Sequence, residues 1–319
     1  MRASERRKQK TAQSKISEDT ILDANEATCW RNPCLEVLLP RSQESPLDSF
    51  ISSYVKAFEN GDANSIATQY TSAPMVAIVS QGGEAKSFAP PTAEAVEQLF
   101  TGMCKQLKDA GYAGVKFEPN KITKLTPNMN LVSTRGIRYK TDGSELQRLN
   151  SSHYLVQEDE NGFRIRAVFA DMIGAGVAYT KVTAPDRSVL DPFWDAYIDA
   201  FVNGKAADLS EKFIGAPMIA LISQGGGCKP LAAAEKEDVF KLFTGMYKQL
   251  TDAGYATAKF ESPKVTPLTP DIFFFSSKGI RYLADGKEMA RLPNAHYFIQ
   301  KIGDEYRMRG LFAEMAPPQ

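Results

Sequence analysis

The chain has 319 residues, 43% hydrophobic and 24% charged, with 38 basic and 38 acidic side chains that balance to zero. That length exceeds an ordinary single domain and that composition supports buried cores, which excludes fibrous and wholly disordered chains. The balanced charge gives no electrostatic footprint for nucleic acid or an anionic membrane, and no apolar run reaches the roughly 18 residues of a membrane span.

Residues 1–45 are expected to form a disordered N-terminal segment, since the first 18 are rich in Arg, Lys and Ser with few acids. Such a start leaves an organelle transit peptide open; otherwise a cytoplasmic location is expected. Cys29, Cys34, Cys104 and Cys228 are too few and too scattered for a disulfide scaffold, so reduced thiols are expected.

Leu47, Phe50, Ile51, Tyr54, Val55 and Phe58 follow the i, i+3, i+4, i+7 spacing of one apolar helical stripe. Asn60 and Gly61 tolerate the left-handed conformation that ends it. A short second helix carrying Ile66 and Tyr70 comes next. Met75 to Val79 is apolar on consecutive positions, the pattern of a strand buried on both faces, and Gln81-Gly82-Gly83 turns the chain. The longest helix has Thr92 as N-cap, Val96, Leu99, Phe100, Met103 and Leu107 on one side, and Gly111 just beyond its end. Four strands are predicted near residues 114–123, 128–140, 145–157 and 163–172.

The same succession recurs when the sequence is slid over itself by 143 residues: 60 of 127 aligned positions are identical, without a gap. Ser80 to Gly83 meets Ser223 to Gly226, Leu99 to Met103 meets Leu242 to Met246, and His153-Tyr154 meets His296-Tyr297. Convergence cannot explain such a match. The chain therefore divides into copy 1 (46–172), a linker (173–188), copy 2 (189–315) and a short tail (316–319).

Each copy resembles the NTF2-like superfamily, and within it the SnoaL-like group of small cone-shaped domains. The likeness is carried by Tyr54 to Asp62 (YVKAFENGD), by Tyr70 followed by Pro74 and a strand, and by the long helix before a curved sheet; Tyr197 to Gly204 (YIDAFVNG), Phe213 and Pro217 match in copy 2. The resemblance implies an α+β fold of two cone-shaped domains, each with helices packed on a curved, mostly antiparallel sheet. It does not select a chemistry, because relatives of this fold include isomerases, hydrolases, ligand carriers and purely associative domains.

Asp142-Gly143 and Asp285-Gly286 are matching two-residue hairpin signals. That turn would pair Tyr139 with Leu146, Arg138 with Gln147, Thr134 with Ser151 and Val132 with His153, leaving both sheet faces apolar. A sheet already covered by helices on one side needs a second cover, and the sister copy is the expected one, forming an intramolecular pseudo-dimer. The Phe273-Phe274-Phe275 run predicts a fuller interior in copy 2.

His153 and His296 are the only histidines and occupy equivalent positions. Two readings stay open for them: a pocket-facing general base, or a structural imidazole bonded within a sheet or interface. Tyr139, Tyr154, Arg138, Tyr282, Tyr297 and Arg281 are candidate ligand-binding residues, the tyrosines as polarising donors. Arg164, Arg166, Arg307 and Arg309 alternate on the last strand as a solvated or interface face, and Asp171 and Glu314 read as solvated strand-end acids. No phosphate loop, metal-ligand spacing or nucleophile elbow occurs, so no cofactor and no metal are expected. The favoured function is a non-catalytic small-molecule-binding or association protein; the alternative is a cofactor-independent isomerase, cyclase or hydratase of SnoaL-like type. The expected partners are a small hydrophobic ligand and the sister repeat, with neither nucleic acid nor membrane.

Overall fold

A computed structural model describes residues 45–82, 84–225 and 227–318. The expected disordered segment, apart from Ser45, lies outside the described residues, as do Cys29 and Cys34 and the candidate transit peptide. Copy 1 runs α1 (Pro46–Glu59), α2 (Ala63–Ser65), a π-helical turn (Ile66–Tyr70), β1 (Thr71–Gln81), β2 (Glu84–Phe88), α3 (Ala93–Asp109), β3 (Tyr112–Phe117), β4 (Lys121–Thr126), β5 (Met129–Lys140), β6 (Glu145–Asp159) and β7 (Gly162–Gly174). Copy 2 repeats the order with α4 (Arg187–Val202), α5 (Ala206–Asp208), a π-helical turn (Leu209–Phe213), β8 (Ile214–Gln224), β9 (Gly227–Ala233), α6 (Lys236–Asp252), β10 (Tyr255–Phe260), β11 (Lys264–Thr269), β12 (Ile272–Leu283), β13 (Glu288–Ile302) and β14 (Glu305–Ala316).

The helices begin where their caps dictate. The Ser45 hydroxyl accepts from the Asp48 amide, Thr92 accepts from Ala95, and the α3 backbone ends before Gly111 at φ 82°. The second helix is shorter than its spacing suggests. After a single α turn the backbone widens to an i→i+5 turn that seats Ile66 at 0% exposure, and Thr71 donates its hydroxyl to the Ile66 carbonyl.

Each sheet is mixed and mostly antiparallel. In copy 1 the order is β2-β1-β7-β6-β5-β3, with β4 also on β5 and β1 parallel to β7; copy 2 matches it strand for strand. The expected strand 114–123 divides into β3 and β4 around Glu118-Pro119-Asn120, because proline cannot donate to a ladder. Strand β2 was not expected. Its residues Glu84–Phe88 carry no apolar run, and its pairing to β1 is imposed by the Gln81-Gly82 turn.

The hairpin register needs a correction. Arg138 does face Gln147, but Tyr139 faces Glu145, Thr134 faces Ser152, Val132 faces Tyr154, and His153 faces Ser133. Irregularities at Thr134/Gly136 and at Arg138/Tyr139 shift the pairing by one, and a one-residue slip exchanges faces. Val132 therefore joins Tyr154 and Val156 in the core beneath the helices, while Leu131 and Leu155 join the other face.

That other face is where the two copies meet. Val76, Ile78, Leu131, Leu155 and Phe169 of copy 1 form one buried cluster with Ile219, Leu221, Phe274, Phe298 and Phe312 of copy 2. Phe169 stacks on Phe298 with ring centroids 4.2 Å apart. The polar contacts obey a pseudo-two-fold relation: His153 Nε2 meets the Leu268 carbonyl at 2.8 Å and His296 Nε2 the Leu125 carbonyl at 3.1 Å. Ser80 reaches Asp271 and Ser223 reaches Asn128, again at equivalent places. The pseudo-dimer expected from two-sided apolar strands is the architecture of the protein.

Candidate functional site

Each cone holds a recess between its long helix and the concave face of its sheet. In copy 1 the walls come from Leu99, Phe100, Met103 and Leu107 on α3 and Ala77 and Val79 on β1, and the recess of about 370 Å³ continues inward to Tyr54, Phe58, Tyr112, Val115 and Tyr154. In copy 2 the recess is larger, about 820 Å³, but it is lined by the mouth residues Leu242, Phe243, Met246, Leu250, Ala220 and Ile222 together with Arg281. Tyr197, Phe201, Tyr255 and Tyr297, the counterparts of the inner wall of copy 1, do not line it. Trp194 and Phe275 account for this. They stand where copy 1 has Ile51 and Val132, and the indole packs edge-on to Tyr297 at 5.0 Å and against Phe260 and Phe275. The expected fullness of copy 2 thus holds at its depth and not at its mouth.

Arg138 enters the copy 1 recess from β5. Its Nη1 donates to Gln147 Oε1 at 3.0 Å and lies 3.5 Å from Met172 Sδ, and the guanidinium sits 5.9 Å from the Phe58 ring centroid. Among the described residues no carboxylate lies within ion-pair distance of it. Burial lowers its pKa, and the neighbouring Tyr112, Tyr154 and Tyr54 oppose that fall; a guanidinium stays charged nonetheless. Burial pushes Tyr112 up to about 12, and its hydroxyl is buried without a hydrogen-bond partner. Tyr154 is raised by burial as well and meets Tyr54 edge-on at 5.7 Å. Every phenol here is therefore a neutral donor at ordinary pH.

The candidate ligand residues separate accordingly. Arg138 and Tyr154 come together in one recess; Tyr139 lines neither recess and lies near Arg148. Arg281 lines the copy 2 recess with its Nε buried and unpartnered, Tyr297 is enclosed in the core behind it, and Tyr282 lies under the Lys259 ammonium at 5.6 Å. Tyr112, Gln147 and Met172 escaped the sequence reading. The Asp109-to-Ala113 run that carries Tyr112, identical in both copies, was the available signal.

The histidines are elsewhere. His153 and His296 line neither recess; both are 7% exposed in the interface, each bonded to a serine of its own copy, Ser133 at 2.8 Å and Ser276 at 3.0 Å. A carbonyl only accepts, so Nε2 carries the proton and Nδ1 takes the serine hydroxyl. Burial lowers the His153 pKa to about 4 and lowers that of His296 too. Neutral imidazoles hold the copies together here.

On the last strand the solvated reading fails for two arginines and one acid. Arg166 and Arg309 are buried, not solvated: Arg166 donates to Gln157 Oε1 at 2.7 Å and to the Ser72 and Ala73 carbonyls, and Arg309 binds Gln300 and the Ala216 carbonyl. Asp171 is likewise buried and accepts from Asn150 at 2.7 Å, whereas Glu314 is half-buried and accepts from Asn294. No three His, Cys, Asp or Glu residues cluster to hold a metal among the described residues, and no helix among them is long and apolar enough to cross a membrane.

The family described as NTF2-like protein (DUF6841) matches residues 43–172 and 187–315, so the chain belongs to that family, with both copies as members. Solved structures to which the chain is similar include an NTF2-like protein with a cystatin-like fold from Novosphingobium aromaticivorans, 13% identical, covering 40% of this chain and 79% of its own at a TM-score of 0.32. A protein of unknown function with a cystatin-like fold from Nostoc punctiforme is 13% identical over 43% of this chain and 96% of its own, at a TM-score of 0.33. No curated protein matches the chain.

Proposed function

We propose that the protein is a non-catalytic binder of a small hydrophobic molecule, with the cone of copy 1 as the binding site and copy 2 as its partner and support. One observation carries this reading: the copy 1 recess reaches inward past apolar walls to polar groups at its depth, yet no His, Asp, Glu or Lys lines it. A pocket that is mostly apolar with a few convergent polar groups is the ordinary form of a ligand site. Proton-transfer chemistry of the SnoaL-like kind needs a base within reach of the substrate, and neutral tyrosines with raised pKa values do not supply one. The histidines that could have served are committed to the interface.

The test uses the full chain and the neutral fluorescent probe 1-N-phenylnaphthylamine. Saturable binding at one site is expected, and Ala170→Phe or Val115→Phe, which place a ring into the recess, should each weaken it roughly tenfold or more while leaving the melting temperature close to wild type. Equal binding by wild type and both filled variants would remove copy 1 as the site.

A further inference from the structure

We infer that the ligand of the copy 1 cone is a hydrophobic monocarboxylate whose carboxylate is held by Arg138; this rests on the reading of that cone as a ligand site. The two structural arginines give the comparison. Arg166 is buried and spends Nε and Nη1 on three oxygen acceptors, one amide oxygen and two backbone carbonyls. Arg138 has five N–H donors, and the acceptors it meets are Gln147 Oε1 and the weakly accepting Met172 sulfur. Arg138 is half-buried, and its remaining N–H groups, on the side that faces the recess, meet no protein acceptor; covering them with a ligand that offered none would be costly.

Tyr112 adds a second donor in want of an acceptor. Its counterpart Tyr255 donates to the Val202 carbonyl, whereas the Tyr112 hydroxyl has no partner. A charged fork therefore faces the recess, with an unpartnered phenol donor buried in the wall near it. A carboxylate supplies two oxygens in the geometry a guanidinium receives, with the charge it lacks. One arginine, with no lysine or second arginine in the lining, matches one negative charge; a phosphate dianion would stay undercompensated.

The rest of the wall, Val55, Leu99, Phe100, Val115 and Phe117, offers only hydrocarbon to the remainder of the ligand. At about 30 Å³ per water, the 370 Å³ recess holds roughly a dozen waters, hence about that many non-hydrogen atoms of a ligand whose remainder would project through the open mouth.

The experiment is calorimetric titration of the full chain with 4-phenylbutyrate and with its neutral isostere 4-phenylbutanamide. The acid should bind at one site about tenfold or more tighter than the amide; Arg138→Met should abolish that preference in a chain whose far-ultraviolet circular dichroism matches wild type, and Arg138→Lys should restore part of it. Tyr112→Phe should weaken the acid several-fold and the amide less. Equal binding of acid and amide to wild type, or an acid preference that survives Arg138→Met, would overturn the carboxylate assignment and leave the pocket standing. Failure of the acid, the amide and the fluorescent probe alike would overturn both. Should Arg138→Met not fold, the acid preference of Arg138→Gln decides in the same way.

Discussion

The imidazole of His153 donates across the interface to the backbone carbonyl of Leu268, 115 residues away in the chain, at 2.8 Å. Because the ring is neutral and buried, and no charged side chain figures among the causes of its shift, protonating it reverses the serine bond and buries a charge without a counter-ion.

Stability should therefore depend on pH in a defined window. A folded pKa of about 4 against an ordinary 6.5 means the unfolded chain takes up the proton first. The contribution is complete above pH 6.5 and is lost as pH falls toward 4, up to about 3 kcal/mol for His153, with His296 acting in the same sense. Depressed carboxylates such as Asp48, held down by Ser45 and Asn120, act only at lower pH. Thermal melts across this window should show the slope, and the double variant His153→Gln, His296→Gln should flatten it; a flat wild-type profile would refute the account.

Cleavage of the linker should leave the copies together. Thr183 and Ala184 are exposed, whereas Tyr179 and Thr180 just before them bond back to Gly136 and Asn150 of copy 1. A protease site inserted between Thr183 and Ala184 should yield two fragments that co-elute on gel filtration. Separate monomeric peaks would contradict the shared core.

Truncating the stacked pair should show how much that core contributes. Phe298 is fully buried against Phe169, Phe274 and Phe312, so Phe298→Ala should cost about 3–5 kcal/mol by denaturant melts. A loss below about 1 kcal/mol would mean the interface relaxes around the hole.

Two glycines should respond in opposite directions to alanine. A Cβ at Gly136 would fall 2.7 Å from the Phe117 ring, so Gly136→Ala should destabilise by about 1–3 kcal/mol. Gly102 lies within α3 with nothing within 4 Å of an added Cβ, and Gly102→Ala should stabilise by roughly 0.5–1 kcal/mol. Equal shifts in melting temperature would show that the Phe117 contact is not what requires a glycine.

Much of the fold was readable from local pattern. The α1 stripe, the Thr92 cap and the 143-residue offset depend on neighbours in sequence, and strands apolar on both sides demanded a second cover. The register failed where no turn signal marks an irregularity. Yet Gly136 and Gly279, mid-strand in both copies, were available hints of one. Site residues divided on the same principle. Arg138 and Tyr154 were found by type, but alternation from a wrong register could not place them, and the partners of both histidines are carbonyls of the sister copy that no local reading reaches.

Joining the copies in one polypeptide changes how the molecule can evolve. In a homodimer any substitution strikes both cavities at once, and a bulky residue that plugs one plugs the other. Here Trp194 and Phe275 fill the depth of one interior where Ile51 and Val132 stand in its twin, so the two cones are free to diverge in shape.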